Sequence, residues 1–313
     1  MSHFVRPDVQ FLLQKIRELA APSVTELGPE GAREVMRRSA RLDLPEVPLA
    51  VRRNLSIPGP GGDPLPLRLY DPRQRRESSP ALLYFHGGGF VIGDLDSHAS
   101  LCSHIAKELD LPVIAVDYRL APEHPWPAGP DDCEAAARWV ASSPAELGFP
   151  VSGLALAGDS AGGALAAITA MALRDEAAAV PVICQWLIYP TVDLGAGSYR
   201  SLREFAKGYF LETREIVWFN GLYAPDTESW RASPIKGMAT GLPPAVIHTA
   251  SLDPLRDQGR AYAAKLAEAG VPTLLLEAEG VVHNFAIMRA ALPSVTKNLD
   301  TALAGVRLFL RQA

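Results

Sequence analysis

The chain has 313 residues, 48% of them hydrophobic and 21% charged, and its 30 basic and 35 acidic side chains give a formal net charge of -5. That is globular composition, long enough for a sizeable core in one large α/β domain or two small ones. The charges are interspersed, so no basic stripe serves nucleic acid or an anionic membrane, and no apolar run nears the ~18 residues of a membrane span.

The first 50 residues read as helical. Val9, Leu12, Leu13, Ile16 and Leu19 share one face over 8–20, and a second helical pattern covers about 30–42. Lys15, Arg17 and Glu18 interrupt Phe11-Leu12-Leu13, so no secretory leader is read there. From Val51 short apolar runs predict strands at 51–57, 65–70, 81–85, 112–116, 154–158, 183–188, 245–249 and 273–277. The earliest runs are close enough for a hairpin. Helical patterns at about 98–109, 130–142, 161–175, 255–269 and 294–311 separate most of the later ones. Such alternation predicts an α/β fold with a mostly parallel sheet of about eight strands flanked by helices.

Residues 190–235 break the alternation and are rich in aromatics, among them Tyr199, Phe205, Tyr209, Phe210, Trp218, Phe219, Tyr223 and Trp230. An insertion of this kind at the strand ends suits a lid or substrate wall. The expected organisation is cap helices over 1–50, a first core part over 51–189, a cap insertion over 190–235 and a second core part over 236–313. Cys102, Cys133 and Cys184 are odd in number, lack metal-type spacing and sit in apolar segments. They read as buried thiols in a reducing, cytoplasmic setting. His98 and His104 are six apart, off-face for a shared metal, and no metal is expected.

Chemistry concentrates in three places. In "LALAGDSAGGALAAITAMAL" (154–173) a strand-like run ends at Gly158-Asp159-Ser160-Ala161-Gly162 and a helix-like run begins at once. This is G-x-S-x-G in the strand–turn–helix setting of a nucleophile elbow, which makes Ser160 the nucleophile. A serine needs a base, and the base an orienting carboxylate; in this architecture they follow the serine in the order acid, then histidine. Only His248 and His283 follow Ser160. His248 lies inside a predicted strand, whereas His283, in "EAEGVVHNF", sits just past the last one and is the expected base. In "VIHTASLDPLRD" Asp253 occupies the connection one strand earlier, which favours it as the acid. Asp257 lies a helical turn further on, and Asp193 and Asp226 fall in the aromatic segment.

The third place is "ALLYFHGGGFVIGD" (81–94), where a strand exits through three consecutive glycines. Acyl transfer needs backbone donors aimed at the developing oxyanion. One is expected from Ala161, the residue after the nucleophile. The others are expected from Gly88 and Gly89, where no side chain blocks the approach, with His86 bracing the loop.

In these stretches the chain resembles the hormone-sensitive-lipase-like group of the α/β-hydrolases, bacterial carboxylesterases with HGGGF and GDSAGG. "DYRLAPEHPWPA" (Asp117–Ala128) is similar to that group's third stretch, and "DPLRD" and the His283 loop to its acid and base segments. The likeness runs from about Leu82 to the C-terminus; one departure is Asn284, where the group often has glycine. The resemblance implies a helical cap, no cofactor, and hydrolysis of short- to medium-chain esters. The apolar cap residues Phe11, Tyr209, Phe210 and Trp218 are the expected wall for a small-molecule ester. An amidase, lactonase or small-molecule deacetylase would use the same triad, and a non-catalytic ligand-binding protein would share the fold. Oligomeric state is not legible; a homodimer is compatible with this reading.

Overall fold

The apolar runs become eight strands: β1 (Val51–Pro58), β2 (Pro64–Asp71), β3 (Ser79–Phe85), β4 (Val113–Val116), β5 (Val151–Asp159), β6 (Val182–Ile188), β7 (Ala245–Leu252) and β8 (Thr273–Val282). These come from a computed structural model that describes residues 3–195 and 198–312, so two positions of the 190–235 segment lie outside the described residues. The strands form one sheet in the order β1-β2-β4-β3-β5-β6-β7-β8. β1 and β2 form the expected antiparallel hairpin, β2 also runs antiparallel to β4, and every other pairing is parallel.

Parallel neighbours require crossovers, which the helices lying between successive strands supply, while others precede β1 or follow β8. The helices are α1 (Pro7–Leu19), α2 (Val24–Ser39), α3 (Ala99–Leu109), α4 (Ala128–Ala141), α5 (Ala161–Asp175), α6 (Arg200–Glu204), α7 (Thr213–Tyr223), α8 (Arg256–Glu268) and α9 (Thr296–Leu310). α3 packs against α9, and α4 against α5, so both faces of the sheet are covered. That is why Leu82, Leu83, Phe85, Val113, Ile114 and Leu156 read as continuous apolar runs; all are buried. α5 is buried from Ala161 to Leu173, which explains its small, unpatterned residues. A helix that is apolar all round belongs at the centre of a domain.

The second N-terminal helix starts earlier than its periodicity predicts. It begins at a Ser23–Glu26 capping box and continues across a kink at Gly28 (φ 70°), with Pro29 opening the second half. Periodicity registers only that second half.

Side chains from the start of the chain fasten it to the last third. The Arg6 guanidinium donates to the Ser294 carbonyl at 2.8 Å and to Asn298 Oδ1 at 2.9 Å. Arg289 makes a two-pronged ion pair with Asp43 at 2.7 and 2.8 Å, with both residues buried. Removing one member of such a pair strands the other charge, at a cost of about 3–5 kcal/mol. Asp43→Ala should lower the unfolding free energy by about that amount in urea titrations. A change below about 1 kcal/mol would mean that the pair is solvated in solution. Among the described residues no helix is long and apolar enough to cross a membrane.

Candidate active site

The turn from β5 into α5 holds Ser160 at φ 54°, ψ −117°, a conformation that side-chain-bearing residues adopt only under strain. The flanking glycines make the turn passable. A Cβ at Gly162 would lie 1.9 Å from the Phe85 carbonyl oxygen, and one at Gly158 would lie 2.3 Å from the Gly162 oxygen. The Ser160 N–H donates to the Ile188 carbonyl of β6 at 2.8 Å, fixing the turn to the sheet.

His283 follows β8 and Asp253 follows β7, so both meet Ser160 at the carboxyl edge of the parallel strands. His283 Nε2 lies 2.9 Å from Ser160 Oγ, and Nδ1 lies 2.7 Å from Asp253 Oδ2. The other Asp253 oxygen accepts the Leu255 N–H at 2.8 Å, which orients the carboxylate. All three residues are buried, and the Tyr189 ring packs on His283 with centroids 4.6 Å apart. In this line the imidazole can accept the hydroxyl proton while the carboxylate holds the opposite ring nitrogen.

The competing residues lie elsewhere. His248 is sealed inside β7 against Phe285, and burial pushes its ring down to about 3. Asp193 accepts from Tyr199, Asp226 from the Glu228 N–H, and Asp257 from the Ser201 N–H.

The loop after β3 brings Gly88 and Gly89 beside Ser160, at φ 123° and 60°. A Cβ at Gly88 would lie 2.1 Å from the Ile92 carbonyl oxygen, so this glycine is required by the backbone itself. Among the described residues neither N–H donates to another backbone or side-chain group, although the Gly88 carbonyl accepts from Val91 and Ile92. Ala161 N–H opens α5, where a helix leaves its first donors unused.

Gly88, Gly89, Ser160 and His283 border a cavity of about 70 Å³. Its other walls are largely apolar: Met36 of α2, Phe90, Ile92, Leu211, Ile216 and Phe219, with Thr191, Asn220 and Asn284 as polar points. Phe219 lies over the glycine loop, its ring 2.4 Å from where a Gly89 Cβ would be.

The four cap residues expected from sequence do not line this cavity. Phe11 points to solvent at 62% exposure. Tyr209 packs edge-on against Phe205, and Trp218 against Phe219, while Phe210 sits half-buried in the cap. Size and aromaticity singled these residues out, but helix phase decides which side chains face inward. On α7 residues 216, 219 and 220 share a face by i, i+3, i+4 spacing, and that face meets the cavity. The spacing was available in the sequence; the direction of the face was not.

Residues 82–287 match the family model described as the alpha/beta hydrolase fold. The chain is 40% identical to esterase LipI of Mycobacterium tuberculosis over 289 residues, 88% of each chain. It is also 40% identical to the ethyl acetate hydrolase of Pseudomonas putida, over 83% of this chain and 82% of that one. Among solved structures, an ester hydrolase from the metagenome of Lake Arreo, bound to a bipyridine phosphonate derivative, superposes with a TM-score of 0.91. It is 37% identical and covers 97% of this chain and 98% of its own. With the family model spanning the catalytic edge of the sheet and esterases aligned along most of its length, the chain belongs to the α/β-hydrolase fold family, in its hormone-sensitive-lipase-like group of carboxylesterases.

Proposed function

We propose that this carboxylic ester hydrolase cleaves esters of short to medium acyl chains through an acyl-enzyme on Ser160. The observation that carries the reading is the line from Ser160 Oγ to His283 Nε2 (2.9 Å) and from Nδ1 to Asp253 (2.7 Å), facing a small apolar cavity. Ser160 Oγ attacks the ester carbonyl carbon while His283 takes its proton. Asp253 holds the imidazole in the required tautomer and stabilises the imidazolium. The carbonyl oxygen, now negative, receives the free N–H groups of Gly88, Gly89 and Ala161. His283 returns the proton to the departing alcohol, and a water activated by the same imidazole releases the acid. No step calls on a metal or a cofactor. Covalent labelling of Ser160 by an organophosphonate, abolished in Ser160→Ala, is the direct test of the nucleophile.

The cavity supports the shorter end of the acyl range. Its volume of about 70 Å³ leaves room for only a few carbons beside the ester group. Each methylene buried adds about 0.8 kcal/mol until the wall is met. Across p-nitrophenyl esters of two to sixteen carbons, kcat/KM should rise to a maximum near about four carbons and then fall. Phe219→Ala should move the maximum by about two carbons or more toward longer chains, since the ring closes the cavity over Gly89. An unmoved maximum would remove Phe219 from the wall.

Two coarser properties go with this reading. Cys102, Cys133 and Cys184 are buried and unpaired, which supports a reducing, cytoplasmic home. The outer edge of β8, which Arg6 covers only at Glu279 and Gly280 and which carries the exposed Leu275, supports a homodimer, and light scattering would report it.

A further inference from the structure

Beneath the glycine loop lies a second acid–imidazole pair that the reaction itself does not use. Asp159, the residue before the nucleophile, is fully buried. Its Oδ1 accepts the Tyr84 hydroxyl at 2.8 Å and the Gly87 N–H at 2.9 Å, and lies 3.1 Å from His98 Nε2. Its Oδ2 has no hydrogen-bond partner among the described residues, and the Gly87 backbone lies flat against it. A Cβ at Gly87 would be 2.3 Å from that oxygen.

His98 is held at both ring nitrogens. The Ser97 hydroxyl donates to the Asp94 carbonyl at 2.8 Å, so it can only accept from His98 Nδ1, which lies 3.0 Å away. Its Nε2 faces the Asp159 carboxylate at 3.1 Å and lies 3.4 Å from the Gly87 nitrogen, so the ring touches both members of the loop contact. Burial pushes the Asp159 carboxyl up, but His98 and the hydrogen bonds from His98 and Tyr84 hold it below its ordinary value. Burial, and then the neighbouring His98, push the His86 ring down to about 4, so that ring stays neutral, stacked on Tyr118 at 4.3 Å.

We propose that Asp159 and His98 form a buried acid–imidazole pair that positions the oxyanion loop: the carboxylate grips the Gly87 N–H, and thereby sets where the next two N–H groups, of Gly88 and Gly89, point. The inference rests on the oxyanion role proposed for those two glycines. Among the described residues Gly87 is the only loop glycine before Phe90 whose N–H is held by the protein; the next two are left for substrate. One side chain is thus tied to both halves of the catalytic machinery, since Asp159 precedes Ser160 in the chain and touches the loop through space. His98 fixes the carboxylate in the rotamer that faces Gly87, and Tyr84 holds it from below. Asp159 and His98 touch no reacting atom; they are positioning residues.

The test compares Asp159→Ala, Asp159→Asn and His98→Ala on a soluble ester, together with binding of a trifluoromethyl ketone, whose hemiketal oxygen takes the oxyanion's place. Asp159→Ala should lower kcat about 30- to 1,000-fold with KM changed less than about threefold, and weaken ketone binding in parallel. Asp159→Asn keeps a carbonyl oxygen for the Gly87 N–H and should fall between the alanine variant and wild type. His98→Ala should show the same kcat-against-KM split. A purely structural role would lower the melting temperature and leave kcat per folded enzyme, and ketone affinity, unchanged. Wild-type kcat and ketone affinity in Asp159→Ala and His98→Ala would overturn the proposal; if Asp159→Ala does not fold, His98→Ala decides alone. Gly89→Ala separates the two levels of inference. If it is impaired while the Asp159 and His98 variants are not, only the positioning role fails; if it keeps wild-type kcat, the oxyanion role itself fails.

Discussion

Ser160→Ala and His283→Ala will each lower kcat by about four to six orders of magnitude while leaving the fold intact. The size follows from how the three side chains act. In the proposed mechanism Ser160 Oγ is a weak nucleophile until His283 Nε2, 2.9 Å away, takes its proton, so losing either member removes the same step. The double variant should therefore be little worse than either single one. Asp253→Asn should lower kcat by about 10⁴-fold, because an amide at 2.7 Å from Nδ1 favours the wrong imidazole tautomer. Steady-state kinetics on a p-nitrophenyl ester, with circular dichroism to confirm folding, measures all of these. Substantial turnover by purified His283→Ala would reject that base. His248 could not replace it without leaving the interior of β7, where it is 1% exposed.

The second large effect is expected at the glycine loop. Gly89→Ala should lower kcat about 10²- to 10³-fold with little change in KM, because the oxyanion exists only beyond the ground state. The new methyl group would meet the Phe219 ring at 2.4 Å and tilt either the ring or the loop. Gly88→Val should be more damaging, since its Cβ would collide with the Ile92 carbonyl at 2.1 Å, where backbone must move. A Gly89→Ala enzyme with wild-type kcat would mean that the loop is slack and the donors lie elsewhere.

How much of this was legible beforehand depends on the range of the interaction. The β5–Ser160–α5 turn is local: three glycines and a small-residue helix within twenty positions announce it, and the sheet then fixes it through the bond to Ile188 and the close approach of Phe85. The order of Asp253 and His283 was legible because each leaves the end of its own strand. Insertion of β3 between β4 and β5 was not, since nothing in a strand's own residues names its neighbour. The cap was misjudged at the level of side chains for the same reason. Trp218 is larger than Ile216, yet the cavity receives the Ile216–Phe219–Asn220 face. His98 reads as an isolated histidine in the sequence, because its partner Asp159 is 61 positions away and hidden inside a motif known for the next residue.

The clasp between the two ends of the chain also sets a timetable for synthesis. Arg6 bonds to the carbonyl of Glu279, 273 positions later, and Asp43 waits 246 positions for Arg289. At about 5–20 residues per second, the first helix therefore leaves the ribosome on the order of tens of seconds before the groups it docks onto exist. Through that interval Val9 and Leu13, buried in the finished enzyme, have no permanent partner and are open to chaperones and proteases. The proposed base follows Ser160 by 123 positions, so a ribosome-bound chain already carrying Ser160 waits for His283 as well. Activity and protection of the first helix should thus appear together, once His283, Arg289 and Asn298 have left the ribosome.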